Sequence, residues 1–475
     1  MKITSDKHAY TKDELVKQKA LFDDPLNYIS LGSERAKKRN VDERLFDFKE
    51  IYTEPKVHLI KTQAARCLDC GNPYCEWKCP LHNMIPNWLE LTKNGHFESA
   101  ASLMHETNPL PEICGRVCPQ DRLCEQACTL QTGFGEVTIG EIEKTIADKA
   151  LASQWRPDLS TRVMTDKTVA VVGAGPAGLG CAELLARNGV NVTVYDKYPE
   201  IGGLLTFGIP GFKLEKSVMK KRRIFLEDIG INFKLNVEIG KDKTIQDLQK
   251  DFDATFLGLG CYKPVDGGLK GQDSVGVIKA LDYLIGNINH QENYQMKNFD
   301  YKNLEGKRVV VLGGGDTAMD CVRSAVRQKA KSVSCVYRRD KISMPGSPRE
   351  VNNAIEEGVN FIFNHQPVAI NSTDGIVTGV NFEITDKNSE TKQEIIESDV
   401  VIIAFGFSAS PETWFNAVGI QTDNKGLTKL ATETKTDGKE IYAGGDMVSG
   451  ADLVVTAIAQ GRDAAKEILR KFDIY

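Results

Sequence analysis

One unit occurs twice in this chain: an apolar β-branched run enters a glycine turn, continues as a helix and ends in a second apolar run. It begins at Thr168-Val-Ala-Val-Val, turns at Gly173-Ala174-Gly175-Pro176-Ala177-Gly178 and closes with Val192-Thr-Val-Tyr. It begins again at Arg308-Val-Val-Val-Leu, turns at Gly313-Gly314-Gly315-Asp316-Thr317-Ala318 and closes with Val333-Ser-Cys-Val-Tyr. Continuous Val/Ile runs mark strands buried on both faces, which means a parallel sheet covered by helices. Two such units in 475 residues predict an α/β protein with two doubly wound nucleotide-binding domains. Composition narrows the class. A net charge of −5 leaves no footprint for nucleic acid or an anionic membrane surface. With 41% hydrophobic and 26% charged residues the chain has ordinary globular composition. No apolar run approaches the roughly 18 residues of a membrane span. The start, Met1-Lys-Ile-Thr-Ser-Asp-Lys7, lacks the apolar core of a signal peptide, so a cytoplasmic location is expected.

Each glycine in the first turn has a separate expected task. Gly173 permits the tight turn, Gly175 lets backbone approach a pyrophosphate, and Gly178 allows close helix–strand packing. The helix N-terminus offers free N–H groups to the phosphates. Asp196 closes the next strand, where an acid accepts hydrogen bonds from a ribose. Gly202-Gly203-Leu204-Leu follows, suited to a loop beside a flavin. Much later, Ile441-Tyr-Ala-Gly-Gly445-Asp446 reads as a short strand whose aspartate could hold a ribityl chain. The helix beginning near Asp452 could aim its N-terminus at the flavin pyrimidine edge. This turn is therefore assigned to FAD. In the second turn Ala318 takes the third position, a permitted variant. Its next strand ends in Tyr337-Arg338-Arg339 and not in an acid, which suits the 2′-phosphate of NADPH. Val400-Val-Ile-Ile-Ala404-Phe405-Gly406 is a strand-to-glycine end that could line the same cleft.

Eight of the twelve cysteines lie between Cys67 and Cys128. They fall into Cys67-x2-Cys70-x4-Cys75-x3-Cys79-Pro and Cys114-x3-Cys118-Pro-x5-Cys124-x3-Cys128. Structural zinc, a disulfide framework and iron–sulfur clusters are the competing readings. A reducing compartment disfavours the disulfides. The proline after Cys79 and Cys118 favours iron–sulfur, as does a flavin in the same chain, because flavin and cubane are natural electron partners. The reading is two [4Fe–4S] clusters, with spacing leaving open which thiolate serves which. Short helices are expected at Asp13–Leu21, Ser33–Phe48, Met84–Thr92, Phe97–Glu106 and Ile139–Leu151. The nucleotide units hold no Cys-x2-Cys or Cys-x4-Cys, so a disulfide-reductase mechanism has no support.

Together these residues carry a resemblance. The run from Arg66 through Cys-Leu-Asp-Cys-Gly-Asn-Pro-Tyr-Cys-Glu-Trp-Lys-Cys to Pro80 resembles the small (β) subunits of bacterial NADPH-dependent glutamate synthase. So do Ile113–Glu125, Gly202–Pro210, Gly313–Arg323 and Met344-Pro-Gly-Ser347, and the likeness extends from about residue 40 to the end. The broader group includes the electron-input half of dihydropyrimidine dehydrogenase and the flavin subunit of electron-bifurcating transhydrogenases. The resemblance implies that NADPH reduces FAD, and that the clusters pass electrons to an FMN on a large (α) partner subunit. There glutamine and 2-oxoglutarate become glutamate. An alternative is the NADPH-oxidising half of another partner system of the broader group. It also implies crossed ligands: Cys67, Cys70, Cys75 and Cys128 for one cluster, and Cys79, Cys118 and Cys124 for the other. In dihydropyrimidine dehydrogenase a glutamine is the remaining ligand; the matching position here is Glu143, so Cys114 and Glu143 compete. Lys213 and Thr456 are added to the expected FAD contacts. Domain boundaries are expected at 1–153 (arm and helical iron–sulfur domain), 154–285 with 430–475 (FAD), and an inserted 286–429 (NADPH).

Overall fold

The computed structural model describes residues 12–385 and 391–474. Helices dominate the N-terminal third. α1 (Val57–Ala65), α2 (Ile85–Lys93), α3 (Phe97–Thr107), α4 (Pro111–Val117) and α5 (Ile139–Ala152) enclose Trp88, Met104 and Ile142, all fully buried. Helices α2, α3 and α5 lie within about two residues of their expected positions, and Lys12–Asp23 contains the expected 13–21. Pro86 and Pro111 sit in first turns, where a missing N–H leaves no bond unmade. Gly115 decides how closely α4 meets α5, since a Cβ there would lie 2.6 Å from Gly140 O and Lys144 N.

The arm departs from expectation. Of Ser33–Phe48, only Val41–Arg44 is helical. Tertiary contacts outweigh local propensity: the Ala36 N–H donates to the Glu141 carboxylate at 2.9 Å, Arg35 pairs with Glu125 and Glu136, and Arg39 N donates to Ile51 O. Each contact draws the backbone into a strap.

From Thr168 the chain forms β1 (Thr168–Val172), α6 (Pro176–Arg187), β2 (Asn191–Asp196), α7 (Lys216–Asp228), β3 (Asn232–Leu235) and β4 (Ala254–Leu257). It crosses into β5 (Val277–Lys279), β6 (Arg308–Leu312), α8 (Asp316–Arg327), β7 (Ser332–Tyr337), α9 (Pro348–Glu356) and β8 (Asn360–Phe363). An antiparallel sheet of β9 (His365–Thr373), β10 (Ile376–Thr385) and β11 (Thr391–Glu397) precedes β12 (Val400–Ile403). Finally β13 (Ile441–Ala443) and α10 (Val454–Lys471) return.

The two main sheets share a four-strand plan and differ in when the edge strand is added, β13-β4-β1-β2-β3 and β5-β12-β6-β7-β8, with every pairing parallel. Both crossings fall earlier than 286 and 430. Val277–Lys279 pairs with β12 in the second sheet, and Phe415 and Ile420 pack beside Ile441 in the first. A three-residue strand has too little periodicity to read, so strand pairing moves these boundaries. The final helix α10 lies on α6 with glycine at the contact. A Cβ at Gly461 would come 2.0 Å from Ala177 O, and one at Gly180 2.8 Å from Ile458 O.

Buried ion pairs join the three units. Arg222 on α7 meets Glu112 on α4, both fully buried. Arg44 of the arm meets Glu357, which also receives Arg323 and Arg327 of α8. Lys213 pairs with Asp320 at 3.0 Å. Among the described residues no helix is long and apolar enough to cross a membrane.

Candidate functional site

At the first glycine turn two of the three glycines are fixed by close backbone and the third is open. Gly173 has φ +102° and a Cβ there would meet Gly258 O at 2.4 Å; a Cβ at Gly178 would meet Gly173 O at 1.8 Å. Gly175 has nothing within 4 Å of its missing Cβ. That open face belongs to a long cleft shared by Gly173, Gly175, Pro176, Ala177, Asp196, Gly203, Leu204, Gly445 and Asp446. The fit to a dinucleotide is direct: backbone is bare where a pyrophosphate must approach, and a helix N-terminus follows at Pro176. Asp196 lines the cleft but also braces it, accepting from Ala174 N at 2.6 Å and Tyr198 N at 2.8 Å. Burial pushes the Asp446 carboxyl up to about 6, against a hydrogen bond from the Asp452 backbone N–H that lowers it.

Two residues expected as FAD contacts are not among those lining this cleft. Thr456 sits in the first turn of α10 with its hydroxyl donating to Leu453 O, outside the residues lining this cleft. Lys213 faces a neighbouring cavity and pairs with Asp320. Sequence reasoning missed the aromatic walls Tyr198, Tyr262 and Trp414. The only signal was position: Tyr198 follows Asp196, and Tyr262 follows the glycine-rich end of β4. Lys216 was missed as well. Its buried ammonium donates to Leu205 O at 3.0 Å and Ile209 O at 2.5 Å, closing the turn beside the cleft, and burial lowers it to about 7.

The second turn repeats the plan. Gly313 has φ +144° and lies against Ala404 O, while a Cβ at Gly314 would strike the Tyr337 ring at 2.5 Å. Gly315 is open except for Pro345 at 4.0 Å. Asp316 and Thr317 open α8, and Ala404, Phe405 and Gly406 follow β12. The two arginines differ. Arg339 is tethered, donating through Nε and Nη2 to Tyr337 Oη at 3.1 and 2.8 Å. Arg338 is exposed and makes no hydrogen bond or ion pair among the described residues.

The cysteines gather in the crossed pattern. Cys67, Cys70, Cys75 and Cys128 line one cavity, closed by Pro86, Leu89 and Ile139. Cys79, Cys114, Cys118, Cys124 and Glu143 form a second group: Cys118 shares a hydrogen bond with Cys114, and Cys79 and Cys124 both feel the Glu143 carboxyl. Cys124 also feels Cys75, so the groups adjoin. Burial pushes Cys67, Cys75 and Cys79 up to about 12. Thiolates confined this way need positive charge among them. Among the described residues no three His, Cys, Asp or Glu side chains converge on a point as ligands of one metal ion. Glu143 accepts from Asn83 and Asn108 at 3.1 and 2.9 Å, and burial raises it to about 8. Arg66, fully buried beside Cys67, donates to the carbonyls of Leu31, Phe134, Gly135 and Glu136. It ties the first cysteine loop to the segment beyond Cys128.

One cavity touches all three units. Leu204, Cys261, Asp446 and Leu453 of the flavin cleft form one wall, Asp316, Thr317 and Gly406 another, and Val117, Cys118 and Pro119 a third. Lys213 and Asp320 lie within it.

A family model described as dihydropyrimidine dehydrogenase domain II, 4Fe-4S cluster, matches residues 44–155. One described as pyridine nucleotide-disulphide oxidoreductase matches residues 167–461. The glutamate synthase [NADPH] small chains of Halomonas elongata and Escherichia coli are 54% and 50% identical to this chain, each over 94% of it and 98% of the relative. This chain belongs to the glutamate synthase small-chain family. Among solved structures, Mycobacterium tuberculosis FprA in complex with NADPH shares the fold, with TM-score 0.54 and 17% identity over 65% of this chain and 85% of that one. Unlike the disulphide of the second family description, the nucleotide units of this small-chain member hold only free cysteines: Cys181, Cys261, Cys321 and Cys335.

Proposed function

We propose that this chain is the NADPH-oxidising, electron-input subunit of a cytoplasmic glutamate synthase. The cavity bounded at once by the flavin cleft, the second glycine turn and the Cys118 loop carries this reading. When bound, FAD accepts a hydride from NADPH, and two [4Fe–4S] clusters carry the electrons onward one at a time. The chain supplies positioning. Gly175 and Gly315 would admit the two pyrophosphates, Arg338 would meet a 2′-phosphate, and Leu204 with Leu453 line the cavity shared by the flavin and nucleotide sites. Cys67, Cys70, Cys75 and Cys128 hold one cluster, and Cys79, Cys118 and Cys124 with Cys114 or Glu143 hold the other. The nucleotide-binding part runs from Thr168 to the end of α10, with the NADPH unit inserted between β4 and β13.

The description of the relatives as small chains supports a large partner subunit, to which we assign the FMN and the conversion of glutamine and 2-oxoglutarate. The test has two stages. Iron, sulfide and flavin analysis should give eight iron atoms and one FAD per chain; zinc without flavin would end the proposal. Mixing the chain with a large subunit, glutamine, 2-oxoglutarate and NADPH should then form glutamate. NADPH oxidation without glutamate would leave the cofactor assignment standing and assign the chain to another partner.

A further inference from the structure

The stretch between Cys118 and Cys124 is short, and its side chains reach out of the iron–sulfur unit. Arg122 donates through Nη1 to Pro345 O at 2.8 Å and through Nη2 to Gly346 O at 2.6 Å. Asp121 accepts from Ser347 Oγ at 3.4 Å, and Gln120 accepts from Arg349 Nη1 at 3.3 Å. Three consecutive residues of the loop therefore hold one five-residue segment, 345–349, of the NADPH unit. That segment grips the second glycine turn from its other side. Gly346 N donates to Gly314 O at 2.9 Å, and Ser347 N donates to the Asp316 carboxylate at 3.0 Å. Pro345 is the one neighbour of the open face of Gly315, at 4.0 Å. A pyrophosphate seated on Gly315 must therefore rest beside Pro345.

Segment 345–349 is also held from the arm, with Arg349 Nε donating to Tyr52 Oη at 2.8 Å, but the carbonyls of Pro345 and Gly346 are met by Arg122. It contains proline and glycine at its head, so its carbonyls need outside donors. Arg122 supplies two at once, which a guanidinium fork does with fixed geometry and an ammonium cannot. A load on the turn at Gly314–Asp316 thus reaches residues 120–122 through bonds of ordinary length, and these residues sit between two of the second set of thiols. Because Arg122 is itself exposed, its removal opens no cavity.

We infer that Arg122 is a positioning residue that couples dinucleotide binding to the second thiol set, with segment 345–349 as the link. Nucleotide on the turn orders 345–349, which orders 119–124; by reciprocity the state of the second cluster alters nucleotide affinity. The inference rests on the NADPH and iron–sulfur assignments above, which separate measurements monitor.

Hydrogen exchange of the full, cluster-loaded chain tests it, with and without NADP⁺, in wild type and Arg122→Ala. In wild type NADP⁺ should slow exchange at 313–318, at 344–349 and at 119–124, the last by ~5- to ~20-fold, within the usual range of site coupling. In Arg122→Ala the protection at 313–318 should persist while that at 119–124 falls below ~2-fold. Equal protection of 119–124 in both proteins, or none in wild type, overturns the inference. Absence of protection at 313–318 in wild type would instead overturn the nucleotide assignment, and iron content below wild type would mark a failed preparation of the variant. Arg122→Lys separates charge from geometry: the coupling should stay largely lost, because a shorter, flexible ammonium does not reproduce the fixed fork that holds both carbonyls. The redox potential of the second cluster, followed by electron paramagnetic resonance, gives an independent readout. NADP⁺ should shift it in wild type and leave it unmoved in Arg122→Ala.

Discussion

The two arginines after β7 make unequal predictions although they are adjacent and alike in charge. Arg338 is exposed and unpartnered, so it is free to meet a 2′-phosphate. Arg339 already donates two hydrogen bonds to Tyr337 Oη, and the Tyr337 ring lies where a Cβ of Gly314 would be. Replacing Arg338 with alanine removes charge-assisted bonds worth about 1.5–3 kcal/mol to a phosphate, and the exposed setting favours the lower half of that range. At 1.4 kcal/mol per tenfold, KM for NADPH should rise roughly 10- to 40-fold. NADH lacks the phosphate and should be nearly unaffected. Arg339→Ala acts differently: it frees Tyr337, loosens the floor of the turn and should weaken both coenzymes alike, by about 3- to 5-fold. Steady-state oxidation of each coenzyme by an artificial acceptor measures all four constants without the partner subunit. Arg338→Ala changing NADPH and NADH equally would refute the phosphate role. A larger NADPH/NADH discrimination loss in Arg339→Ala would show that the tether to Tyr337 is broken when nucleotide binds.

Three further perturbations separate the remaining assignments. Arg66→Met strands four carbonyls, each costing about 1–3 kcal/mol when left buried without a donor; the first cluster should be lost, halving iron while FAD content holds, and unchanged iron would oppose the role of Arg66 as the tie between the two cysteine loops. For the second cluster, Cys114→Ser should lower iron content and Glu143→Ala should not, because Glu143 Oε1 already accepts from Asn83 and Asn108; the reverse result would make Glu143 the ligand. Lys216 gives a pH signature: burial lowers its folded value to about 7 from 10.5, so the unfolded chain binds more protons between those limits. Stability of wild type relative to Lys216→Met should therefore rise from pH 7 to about 9.5, and parallel melting curves would show that the ammonium is not buried as the structure places it.

How much was legible follows from what each residue depends on. The two glycine turns were readable because their constraints are local: Gly173, Gly178 and Gly313 are glycine on account of backbone atoms within 2.4 Å of a missing Cβ. The resemblance carried the crossed cysteine pattern, which the spacing alone left open and the cavity at Cys67, Cys70, Cys75 and Cys128 agrees with. Local signals failed where long-range pairing decides. Ser33–Phe48 has helical composition, yet Glu141, Glu125 and Glu136 pull it straight from about 100 residues away. The three residues of β5 belong to the second sheet only because β12 receives them. Nothing local in the sequence signals that Lys213 pairs with Asp320 of the NADPH unit at 3.0 Å. These misses share a place: the strap, β5 and Lys213 all lie where one unit meets another. Cofactor turns are written in short contiguous runs because each holds its phosphate alone. The junction cavity needs all three units at once, and no contiguous stretch could have announced it. For a chain whose task is to pass electrons between cofactors held by different units, that junction is where substitutions distant in sequence should prove coupled.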